Sequence, residues 1–71
     1  MYNTFNRTMI NTICYRTIEG EDFLFCVCHK PLDKVKEDVN YLNNTKPTTF
    51  MNEKINWNNI KNFFVDRQEM F

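Results

Sequence analysis

Cys14, Cys26, Cys28 and His29 are the side chains in this sequence best suited to chemistry. Thiolate and imidazole together suit zinc, and a thiol beside an imidazole can serve as a nucleophile. Their spacing argues against both uses. Structural zinc knuckles separate paired cysteines by about two to four residues so that both sulfurs reach one ion. Here Val27 alone separates Cys26 from Cys28. His29 follows Cys28 directly, and adjacent residues of a strand point to opposite faces, so the imidazole is turned away from that thiol. An odd cysteine count with no charged-then-apolar leader argues against a disulfide framework. Strand neighbours two apart lie about 7 Å from each other, at the edge of disulfide reach. The three thiols are therefore expected to be reduced and mostly buried, acting as small hydrophobes, with no metal and no cofactor.

Other catalytic chemistries are missing their parts. The sequence has no serine, which removes a serine triad. Its single glycine, Gly20, cannot build a phosphate-cradling loop or a dinucleotide fingerprint. Glu19 and Glu21 flank that glycine in what reads as a turn, where solvated carboxylates are ordinary. The expectation is a protein that is not an enzyme.

Charge narrows the partners. Nine basic residues balance nine acidic ones, giving a formal net charge of zero. A nucleic-acid binder is usually basic with its cations on one face, so this class is disfavoured. It survives as an alternative because Phe23, Phe25 and Arg16 could share a face and stack exposed bases. No apolar run is long enough for a membrane span, so a cytoplasmic protein is expected.

These side chains need elements to position them. Thr8 to Ile18 is rich in Thr, Ile and Tyr, all good strand formers. Glu19-Gly20 separates this run from Phe23–Cys28, predicting a hairpin. If Glu19-Gly20 is a two-residue turn, Cys14 stands opposite Phe25 and Ile13 opposite Cys26; a shift of one residue instead brings Cys14 toward Cys26. In the first register one face carries Ile10, Cys14, Phe23, Phe25 and Val27, interrupted by Thr12 and Arg16. The other carries Ile13, Tyr15, Leu24, Cys26 and Cys28. Pro31 marks a helix start, and Leu32, Val35, Val39 and Leu42 form one stripe that should end at Asn43-Asn44. Lys34 and Asp38 are spaced as an ion pair on its wet side. Thr48–Met51 reads as a short third strand. Ile55-Asn56 opens a last helix, with Asn56 as N-cap and Trp57, Ile60, Phe64 and Phe71 on one face. Residues 1–7 show no period and should fray or form an edge segment.

The expected fold is a small α+β two-layer sandwich of one domain spanning residues 1–71. Its elements run ββαβα, with a right-handed crossover giving a three-stranded sheet of order 2-1-3. A core this small rarely supplies more than about 3–5 kcal/mol, so association is a common supplement. Both faces of the second strand are apolar, and aromatics make up 15% of the sequence, a residue type that interface anchors favour. Arg67 falls inside the apolar arc of the last helix, beside Phe63, and Tyr41 points away from the first helix's stripe. Phe23, Phe25, Arg16, Tyr41, Phe63 and Arg67 are thus the candidate partner-binding residues. Asn, Ile, Lys and Phe are abundant and Ala is absent, a bias matching an AT-rich genome such as a phage, a virus or a low-GC bacterium. The expected function is a non-enzymatic binding protein: a phage- or virus-encoded inhibitor that occludes a host enzyme or defence complex, self-associating as a dimer. A structural subunit of a larger assembly is a further alternative.

Overall fold

The β-prone run forms β1, Thr8–Thr17, the central strand of an antiparallel sheet. The computed structural model describes residues 8–70, and the expectation for residues 1–7 lies outside them. β2, Asp22–Cys28, lies on one side of β1, and the C-terminal strand Ile60–Met70 lies on the other. Between them the chain forms helix α1, Leu32–Thr45, and a small hairpin of β3, Thr49–Phe50, with β4, Glu53–Lys54. A single 3-10 turn, Trp57–Asn59, then leads into the last strand, β5.

The α+β two-layer class and a three-stranded sheet with its first strand at the centre are both present. The order of the first four elements also matches the sequence. The C-terminal element does not. Asn56 caps as expected, its Oδ1 accepting from the Asn58 N–H at 3.1 Å, but the helix stops after one turn. Ile60, Phe63, Phe64 and Val65 are β-branched or aromatic, and β1 offers a second unpaired edge. Pairing along that edge satisfies backbone groups while sorting Phe63 and Val65 inward, and this tertiary gain overrides the 3.6-residue pattern. β5 therefore takes the place expected for Thr48–Met51, and it runs antiparallel to β1.

The first hairpin differs in one residue. Its loop is Ile18-Glu19-Gly20, closed by Gly20 N–H to Thr17 O at 3.0 Å and Thr17 N–H to Glu21 O at 2.8 Å. Gly20 holds φ +94°, a left-handed conformation that a side chain would strain. Three loop residues instead of two set Cys14 opposite Leu24, and a bulge at Phe25 restores the expected pairing of Ile13 with Cys26. The extra residue moves Phe23 and Phe25 to the helix side and Leu24 to the other.

Helix α1 buries Val35, Val39 and Leu42 against β5 and β1. Pro31 sits at the N-cap, its carbonyl accepting from Lys34 and Val35. The helix continues past Asn43-Asn44 to Thr45, and Lys46 ends it at φ 50° with its N–H on Leu42 O. Asp38 pairs with Lys30, while Lys34 approaches Glu37. Phe63 is the centre of the core, 1% exposed and ringed by Tyr15, Phe25 and Trp57 at centroid distances of 5.8, 5.2 and 5.2 Å. Burying such a ring contributes about 1.5–3 kcal/mol. Among the described residues no helix is long and apolar enough to cross a membrane.

Candidate protein-binding face

Only one side of the sheet carries a helix among the described residues. The side away from α1 is built in rungs across the three strands. One rung is Asp22–Arg16–Asn62, the next Leu24–Cys14–Phe64, and the third Val27–Thr12–Asp66, with Ile10 beyond. The middle rung is apolar and its neighbours are mixed or polar. Leu24 is 59% exposed and Val27 43%. Together with Ile10, Thr12, Cys14 and Phe64 they line a shallow hollow of about 480 Å³.

Polar groups fix the rim. Arg16 Nε and Nη2 donate to Asp22 Oδ1 and Oδ2 at 2.8 and 3.1 Å, a two-pronged pair. The guanidinium also lies 5.3 Å from the Phe64 ring centroid. Hydrogen bonding to Arg16 lowers the Asp22 carboxyl below its ordinary value, and the same bond raises the Arg16 guanidinium. Thr12 Oγ1 donates to Asp66 O at 2.7 Å. Cys14 is buried beneath its neighbours, and that burial raises its thiol above the usual range.

Each sheet edge is interrupted at one point, which opposes strand addition there. On the outer side of β5, the Asn43 side chain takes up the backbone groups of Phe63. β2 carries the bulge at Phe25, which breaks the regular spacing a further strand would need.

The candidate residues do not gather in one place. Arg16 is on the open face. Phe23 packs beside Tyr15 on the helix side, with centroids 5.7 Å apart, and Phe25 lies beneath the same layer against Phe63 and Phe50. Phe63 belongs to the core and is closed to any partner. Its assignment to a binding surface came from reading β5 as a helix. Tyr41 is 47% exposed on α1, its ring 6.0 Å from that of Phe50. Arg67 is exposed on β5 opposite Asn11. Leu24 and Phe64 are the residues that sequence reasoning missed. The loop length hid the first and the helix assignment the second.

Cys14 stands on the open face, while Cys26 and Cys28 stand on the helix side, so the four zinc-type residues are split between layers. Burial, then the neighbouring Cys28, pushes the Cys26 thiol up to about 12. Among the described residues, no three His, Cys, Asp or Glu side chains gather as a metal site. No protein-family model matches the chain, nor does any curated protein or solved structure.

Proposed function

We propose that this protein acts by binding another protein through the open face of its sheet, with no catalytic step. The observation that supports this most is the exposure of Leu24 and Val27 beside Cys14 and Phe64, on a face that no described helix covers. An apolar centre with a polar rim is the composition of an interface core. Leu24 and Phe64 supply the anchors. The Arg16–Asp22 pair is already held in place, so it loses little side-chain freedom on docking.

The matching partner is an apolar protein patch, on a second copy or on a target. The AT-rich bias of the composition is compatible with a phage or viral source. In that setting the protein serves as an inhibitor that occludes a host enzyme or defence complex in the host cytoplasm. A nucleic-acid platform has less support, because Arg16 lies on one face while Phe23 and Phe25 lie on the other.

Sedimentation of the wild type, alone and with host extract, tests this against the double variant Leu24→Lys, Val27→Lys. The wild type is expected to sediment as a dimer or with a defined partner, and the variant as a folded monomer. A wild type that stays monomeric and retains no partner would overturn the reading.

A further inference from the structure

The layer opposite the proposed binding face holds a cluster of three sulfurs. Cys26 and Cys28 lie two residues apart on β2 with their Sγ atoms 3.8 Å apart. Met51 Sδ stands 3.8 Å from Cys26 Sγ and comes from a different element, the turn between β3 and β4. That turn is unusual. Met51 holds φ 52° and Asn52 φ 67°, so both central residues are left-handed. Such turns favour Asn-Gly, and a long unbranched side chain is disfavoured there. A residue kept in a disfavoured backbone conformation invites a functional explanation, and here that conformation carries a thioether to a pair of thiols.

We propose that Cys26, Cys28 and Met51 form a three-sulfur site for Cu(I). Thiolate and thioether are soft donors, and their combination selects Cu(I). Zinc sites instead use four ligands drawn from thiolate, imidazole and carboxylate, a set that the described residues do not gather. The spacing suits an ion. Three sulfurs around a metal at a metal–sulfur distance of about 2.3 Å stand roughly 4 Å apart, close to the 3.8 Å from Cys26 Sγ to Cys28 Sγ and the 3.8 Å from Cys26 Sγ to Met51 Sδ. Burial is graded to match: Cys28 is buried as the inner ligand, Cys26 is half-buried, and exposed Met51 closes the outer side where an ion enters. Binding deprotonates both thiols and releases their protons to solvent, leaving a complex of net charge −1. The ion keeps its oxidation state throughout. Arg16, Leu24 and Val27 take no part, so this site and the proposed binding face stand or fall separately.

The full-length chain is titrated anaerobically with Cu(I) alone, in competition with a chromogenic Cu(I) chelator. One ion per chain is expected, with X-ray absorption showing a first shell of three sulfurs. Cys26→Ser and Cys28→Ser should each weaken binding on the order of a hundredfold, and Met51→Leu on the order of tenfold. Cys14→Ser, on the opposite face, should bind as the wild type does. Met51 is exposed, so Met51→Leu tests the third ligand without disturbing the core. Wild-type affinity in Met51→Leu, a two-sulfur absorption spectrum, or failure of the wild type to compete with the chelator would each overturn the proposal.

Discussion

The side chain of Asn43 does for β5 what a neighbouring strand would do. Its Oδ1 accepts from the Phe63 N–H at 2.8 Å, and its Nδ2 donates to the Phe63 carbonyl at 3.0 Å. Helix and sheet are thereby joined at the residue that also centres the core. Two hydrogen bonds of this kind contribute about 1–3 kcal/mol net. Asn43→Ala should lower the urea unfolding free energy by that amount, whereas Asn44→Ala, exposed on the next position, should change it by less than about 0.5 kcal/mol. Equal effects at both positions would show that the edge contact is not the source.

A second expectation follows from Arg16 and Asp22. The paired guanidinium lowers the Asp22 carboxyl, so the folded state holds its proton more weakly than the unfolded chain. The resulting stabilisation is present above the unfolded value near about 3.9 and is lost as pH falls through the lower folded value. Both groups are exposed, so the effect is small and screened by salt. Melting curves of wild type and Asp22→Asn should converge as the solution is acidified through that range. Raising the salt concentration at neutral pH should narrow the gap too. A gap that widens in acid would contradict the pairing.

Periodicity read the first half of the molecule well and the last part poorly, for identifiable reasons. The stripe of Val35, Val39 and Leu42 is buried because nothing in α1 competes with its 3.6-residue repeat. The hairpin was legible from Gly20, and Ile10, Thr12, Cys14, Arg16 and Val27 do share a face. Phe23, Phe25 and Leu24 changed sides because the register depends on loop length, and one residue inverts a strand. The bulge that corrects it leaves no mark in the sequence. For Ile60–Phe64, adjacent phenylalanines fit a helical arc as well as two strand faces. Only the unpaired edge of β1, a partner some fifty residues away in the chain, decides between them. Of the surface candidates, Arg16 lies on the open face with Ile10, Cys14 and Val27, a face the sequence did not mark as the solvent side, whereas Phe63 was drawn into the core by that same choice.

The turn at Met51-Asn52 lets stability and sulfur chemistry be separated. Two non-glycine residues hold positive φ there, and side chains suited to that conformation should relieve strain. Replacing the pair with Asn-Gly is expected to stabilise the fold by about 1 kcal/mol, read as a higher denaturant midpoint with unchanged slope. The same variant lacks the thioether beside Cys26, so a gain in stability should accompany weaker Cu(I) binding. A loss of stability would mean that Met51 contributes more by packing on Cys26 than its backbone costs.

The apolar side chains on the two layers should respond to substitution to very different degrees. Leu24 stands in solvent on the open face, so Leu24→Lys removes no core contact and should change the unfolding free energy by less than about 0.5 kcal/mol. Phe63 is enclosed by Tyr15, Phe25 and Trp57, and Phe63→Ala leaves a cavity where three rings converge. That change should cost about 3–5 kcal/mol, most of the stability available to a chain of this size. Phe64, the next residue along β5, lies across the sheet and should fall between them, because it is half-buried, with the Arg16 guanidinium 5.3 Å from its ring centroid. Urea titration of Leu24→Lys, Phe64→Ala and Phe63→Ala therefore ranks the three by depth. If Leu24→Lys destabilised the isolated protein as much as Phe63→Ala, Leu24 would be a core residue and the open face would not be open.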